Sequence, residues 1–147
     1  MDVGLLGQIG IGFSFGLSGL GAAIAIAVVG PAVVGSFKKC YVQNKPAPFV
    51  LVVFAGAALS NIIYGFIVMQ ALAGSAAAGT HDGNTLFALG ISSGLCIGVV
   101  AITQAMCSAS AADALAETGK GFGNYLMVIG IAETVSLFAM VFTLLFA

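Results

Sequence analysis

Residues 121–147 read GFGNYLMVIGIAETVSLFAMVFTLLFA, 27 residues in which Glu133 is the only charge, with 12 uncharged residues before it and 14 after it. A membrane-spanning helix needs about 20 consecutive apolar residues, so this stretch is long enough to cross a bilayer and holds its one carboxylate near the middle of the crossing. Reading outward toward the N-terminus, three further runs carry no charge at all: 35 residues at 3–37, 35 at 46–80 and 30 at 83–112. Four runs predict four transmembrane helices, at about 3–37, 47–79, 84–117 and 121–147. The fold class is an all-α membrane protein, a single membrane domain over 1–147 built as two tandem helical hairpins, 1–80 and 81–147.

The composition agrees: 61% of the 147 residues are hydrophobic and 6% are charged, where a soluble domain is about one quarter charged. Little chain remains for a soluble domain, so no catalytic site is expected here, and chemistry on a water-soluble substrate would belong to a partner. A net charge of −1 with four basic residues spread over two loops offers nothing to neutralise a run of phosphates, which excludes nucleic acid as a partner. Cys40, in the first loop, and Cys96 and Cys107, in the third run, form no CxxC pair and share the chain with one histidine, so they read as small packing residues. The first run lacks the basic start of a cleaved leader and is expected to stay as a helix.

The breaks carry turn chemistry. Lys38 to Pro48 holds three lysines and two prolines and ends the first helix; Asp82-Gly83 marks the second break; Gly119 and Gly121 suit the end of the third helix. Basic loops stay in the cytoplasm, and every lysine falls in the first or third loop. Loops 38–46 and 118–121 are therefore expected to be cytoplasmic, with both termini and the His81 loop on the opposite side. His81 and Asp82 read as a solvated loop, and Asp113, Glu117 and Lys120 as a solvated helix end or a contact with a soluble partner.

Small residues recur every three or four positions on the first helix (Gly12, Gly16, Gly19, Ala23, Ala27, Gly30) and on the third (Gly90, Gly94, Gly98, Ala101, Ala105, Ala109, Ala112). Such stripes let helix backbones approach closely in lipid. The second and fourth helices carry bulk (Phe49, Phe54, Tyr64, Phe66, Tyr125, Phe138, Phe142, Phe146), which predicts an outer layer facing lipid around an inner pair. A shift of 72 positions lays LSNIIYGFIV, 59–68, over IAETVSLFAM, 131–140, and suggests a duplicated hairpin.

A charge at the bilayer centre costs about 2.5–3.5 kcal/mol on insertion scales, so an intramembrane acid reads as functional by default. The chain has no arginine and its four lysines lie in loops, leaving Glu133 without an internal counter-cation. It must bind a proton, bind a metal cation, or meet a basic residue of another protein. Ser60, Asn61, Gln104 and Thr134 lie at similar depth, and their oxygens around one carboxylate suit a dehydrated monovalent ion. Tyr64, one helical turn beyond Ser60, is placed to hydrogen-bond the carboxylate.

Four glycine-rich spans in two hairpins, with LSNIIYGF in the second and IAETVSLFAM in the fourth, resemble the proteolipid (K or c) subunit of V-type and A-type rotary ATPases. The resemblance implies a ring of identical copies in lipid, the first and third helices inside and the second and fourth outside. Glu133 would carry one ion per copy past a stator subunit that supplies an arginine, with central-stalk subunits at the cytoplasmic loops, coupled to ATP hydrolysis or synthesis elsewhere in the complex. The sodium-type pattern falls on the Ala57 carbonyl, Ser60, Asn61, Gln104 and Glu133, with Tyr64 supporting. Asn61 stands where glutamine is usual and Ser60 where threonine is familiar; proton-transporting members tend to be apolar at these positions. The bound ion is therefore expected to be Na+ in preference to H+. The rival readings are a small four-helix proton-coupled secondary transporter, which predicts a monomer or dimer, and a structural scaffold, which gives no reason for the shared depth of the polar residues.

Overall fold

The computed structural model describes residues 3–147; Met1 and Asp2, the start of the first expected hairpin, lie outside the described residues. The described helices are α1 (Gly4–Val42), α2 (Leu51–Gly56), a 3₁₀ turn (Ala57–Leu59), α3 (Ser60–Ala78), α4 (Gly83–Thr118) and α5 (Phe122–Phe146). α2, the turn and α3 together form one span, Leu51–Ala78. The four spans have 39, 28, 36 and 25 residues, so a long helix followed by a short one occurs twice. All four are long and apolar enough to cross a bilayer, and the chain is an integral, multi-pass membrane protein.

α1 is about 58 Å long at 1.5 Å per residue, well beyond the roughly 30 Å hydrocarbon core. It does not stop at the lysines, as the sequence suggested, but continues to Val42. The extra turn has α4 beside it: Lys39 Nζ lies 3.1 Å from Asp113 Oδ1 and also pairs with Glu117, and Cys40 is buried in the helix against the Ala116 carbonyl. Cys40 is thus a packing residue, within a helix and not in a loop. Asn44, at φ 52°, turns the chain, and Lys45 reaches the Glu117 carbonyl. α2 starts at Leu51, later than expected; Pro48 disfavours helical geometry at Ala47, where the sequence placed the start. The Pro48 carbonyl accepts the first turn's bond from the Leu51 N–H at 3.1 Å.

At the other end of the bundle His81 Nε2 lies 2.6 Å from the Phe146 carbonyl. Asp82, read as part of a turn, is the N-cap of α4 and accepts from the Thr85 N–H at 3.1 Å. Hydrogen bonds from the Thr85 side chain first, and its backbone second, hold the Asp82 carboxyl below its ordinary range. The cap is complete above that range and lost as the pH falls through the lower, folded value. Protection of the amides in the first turn of α4, taken relative to the intrinsic exchange rate at each pH, should therefore fall only in acid, whereas in Asp82→Ala it should be low at every pH.

α1 and α4 form the closest helix pair. A side chain at Gly90 would strike the Gly10 carbonyl, one at Gly10 the backbone of Phe87, and one at Gly94 would lie 2.5 Å from the Phe13 carbonyl oxygen. The stripe expected on α4 is thus the contact face. On α1 the expected stripe is the wrong face: Gly12, Gly16, Ala23 and Ala27 are exposed, and the contact runs through Gly7, Gly10, Ser14, Ser18, Gly21 and Ala25. Two small-residue faces coexist on this helix, and the one in contact includes serines. Ser14 and Ser18 turn their hydroxyls onto carbonyls of their own helix, at 2.7 Å to Ile11 and 2.9 Å to Ser14, and so pack as small residues. The bulk of the second and fourth spans is mostly exposed, as expected, with Phe138 and Phe142 each at 58%. Phe54 is the exception: it is fully buried and meets Phe122 edge-on with centroids 5.7 Å apart, closing the bundle at the lysine-bearing end.

Candidate ion-binding site

The second span is interrupted at Ala57–Leu59, where one 3₁₀ turn separates α2 from α3. A short 3₁₀ segment within a helix shifts its carbonyls out of the α-helical bonding register, and at membrane depth such backbone is tolerated where protein groups satisfy it. Here the two polar residues that follow do so: Ser60 Oγ donates to the Ala57 carbonyl at 3.2 Å and Asn61 Nδ2 to the Ala58 carbonyl at 3.2 Å.

Glu133 lies at the middle of α5 and is half-buried. Its two oxygens have different partners: the Tyr64 hydroxyl donates to Oε1 at 2.6 Å, and Gln104 Nε2 donates to Oε2 at 3.3 Å. Behind this clasp Asn61 Nδ2 donates to Gln104 Oε1 at 2.7 Å, and the Ser136 hydroxyl donates to Asn61 Oδ1 at 2.5 Å. Asn61, Gln104 and Ser136 are all fully buried, so the chain of hydrogen bonds runs through the interior and reaches the partly open face only at Glu133. Helices α3, α4 and α5 each contribute to it. Among the described residues the ion pairs are those of Lys39, which joins Asp113 and Glu117 at the lysine-bearing end; Glu133 has no cationic neighbour.

Of the residues anticipated for the site, the structure brings Glu133, Gln104, Asn61 and Tyr64 into one hydrogen-bonded network and places Ser60 on the Ala57 carbonyl beside it. Thr134 lies outside. It is exposed and bonds the Ile131 carbonyl at 2.6 Å, because the next residue on a helix is rotated by about 100° and faces away from the bundle. Sequence reasoning missed Ser136, although its place three residues after Glu133 puts it on the same helical face. Asn61 directs its nitrogen, not its oxygen, toward Gln104.

Two donors on a carboxylate in low dielectric stabilise its negative charge, since hydrogen bonds to charged groups are the stronger ones. Gln104 Oε1, Ser60 Oγ and the Ala57 carbonyl are neutral oxygens on the elements that flank it. One acid among neutral oxygens could balance the charge of one hard monovalent cation.

Residues 87–146, from the second turn of α4 to the end of α5, match the family model that describes the C subunit of ATP synthase. No curated protein matches the chain significantly. The second hairpin is accordingly similar to the c-subunit family of rotary ATPases, proteolipids whose members assemble into oligomeric membrane rings and carry ions without a catalytic site of their own.

Proposed function

We propose that this chain is the duplicated rotor proteolipid of a V/A-type ATPase, each copy binding one monovalent cation at Glu133, Na+ in preference to H+. The carrying observation is the Glu133 carboxylate held by Tyr64 and Gln104 with no positive side chain in reach. Four spans with one acid, in place of two spans with one acid, support the V/A-type reading. The oxygens of Ala57, Ser60 and Gln104 support sodium, and Asn61 adds a further oxygen if its amide turns. The missing counter-charge would come from an arginine of a stator subunit as Glu133 passes it. The Lys39, Asp113 and Glu117 cluster, with loops 38–46 and 118–121, would face the cytoplasm and the central stalk.

Native mass spectrometry of the detergent-extracted protein should give a large homo-oligomer; a dimer would favour the secondary transporter instead. In membranes holding the complete complex, ATP-driven uptake of radioactive sodium should persist with a protonophore present, and uptake that the protonophore abolishes would assign the proton. Tyr64→Phe removes one donor to a charged acceptor, a loss of at least about 1.5 kcal/mol, and should weaken sodium retention by roughly tenfold or more in an equilibrium binding assay.

A further inference from the structure

We propose that Gly65 is a positioning residue for this site: it lets α3 seat on the serine face of α1 at the depth from which the Tyr64 hydroxyl reaches Glu133. Gly65 has no side chain to offer an ion, and α1 contributes no hydrogen bond to the network around the acid. The effect of Gly65 on sodium rests on the reading of Glu133 as the ion carrier.

The span Leu51–Ala78 holds three glycines, and they differ in what surrounds them. Gly56 and Gly74 have open space where a side chain would stand. Gly65 is buried, and a Cβ there would overlap Ser18 Oγ and lie 2.6 Å from Ser18 Cβ and 2.8 Å from the Ser14 carbonyl oxygen. Turning the Ser18 hydroxyl aside relieves only the first of these contacts, because the other two atoms are fixed by the course of α1. Nor can α1 retreat, since α4 is packed on the same turns: a Cβ at Gly94 would lie 2.5 Å from the Phe13 carbonyl oxygen and 3.1 Å from Ser14 Cα. A methyl group at position 65 therefore pushes α3 outward, toward the side on which Ile63 and Ile67 are exposed. Taking a pair of carbons from 2.6 Å to an ordinary separation of about 3.5–4.0 Å needs a displacement of about 1 Å. Tyr64 is the adjacent residue and moves with the backbone. Its bond to Glu133 is 2.6 Å long, and O–H···O bonds extend only to about 3.0 Å, so a displacement of that size breaks it.

The test is equilibrium binding of radioactive sodium to the purified full-length oligomer, paired with a cryo-electron microscopy structure of the Gly65→Ala oligomer. Gly65→Ala should raise the sodium dissociation constant about tenfold, as loss of a hydrogen bond to a charged group does. In its structure the Tyr64 hydroxyl should lie beyond about 3.5 Å from Glu133, outside hydrogen-bonding range. Adding Ser18→Gly, which removes the Cβ and the hydroxyl that the new methyl strikes, should return the constant to within about threefold of the unaltered protein, the mark of two residues in contact. In a Tyr64→Phe background, Gly65→Ala should change the constant by less than about threefold, because the bond it acts through is already gone. Equal losses in both backgrounds, or an unchanged constant in a less heat-stable oligomer, would reduce Gly65 to packing and overturn the inference. If Gly65→Ala does not assemble, Ser18→Thr, which adds one methyl to the same contact from the α1 side, carries the test with the same two readouts. If the unaltered protein binds no sodium, the sodium reading falls, and the distance still decides the role of Gly65: a Tyr64 bond kept in Gly65→Ala overturns it, and a broken one upholds it.

Discussion

Glu133→Gln is expected to abolish ATP-driven ion uptake by the assembled complex, a loss of at least about a hundredfold, while leaving the membrane oligomer intact. Glutamine has nearly the same shape and can still accept the Tyr64 hydrogen bond, so the contact between α3 and α5 survives and only the bond from Gln104 is lost. It has no ionisable proton and no charge to hold a cation. The carboxylate is also the only acid along the apolar part of the four spans, so nothing nearby can take over its role. Uptake in reconstituted vesicles, with native mass spectrometry of the same preparation, checks both halves of this expectation. Retained transport in an intact oligomer would remove Glu133 from the mechanism.

The second large effect lies at the helix contact and not at the ion. Gly90→Leu is expected to destabilise the bundle by about 3 kcal/mol or more and to leave little folded protein in the membrane. Its Cβ would overlap the Gly10 carbonyl oxygen, and backbone cannot swing aside as a flexible side chain can. Gly74→Ala is the matched control: Gly74 has open space around it, and alanine in a helix is worth up to about 1 kcal/mol over glycine. Thermal unfolding in detergent should separate the two variants clearly. Equal melting temperatures would mean that α1 and α4 do not meet at Gly10 and Gly90.

The spans and the acid are legible in the sequence for the same reason: charge is so costly in lipid that nine charged residues in 147 mark both the loops and the site. Gln104, Asn61 and Tyr64 are legible as polar groups at the depth of Glu133. The contact face of α1 is not, because in a helix made largely of glycine, alanine and serine several faces are small, and only the partner decides which is used. The continuation of α1 through Lys39 and Cys40 is also hidden, since it depends on Asp113, Glu117 and Ala116 far along the chain. Phe54 has the bulk of a lipid-facing residue, yet Phe122 gives it a protein neighbour. Ser136 has no signal except its spacing from Glu133, and Thr134, adjacent to the acid, is the more conspicuous residue although helical rotation turns it outward. The 3₁₀ turn at Ala57–Leu59 has no marker in its own residues and shows only in the side chains that satisfy its carbonyls.

The most direct test of Glu133 as the ion carrier is peptide-resolved mass spectrometry of the purified oligomer after carbodiimide labelling at one fixed pH, with either sodium or potassium present. A sodium site at Glu133 predicts a single adduct per chain, on that residue, that sodium suppresses and potassium does not. An adduct on Asp113 or Glu117 with Glu133 untouched, whatever the cation, would contradict it.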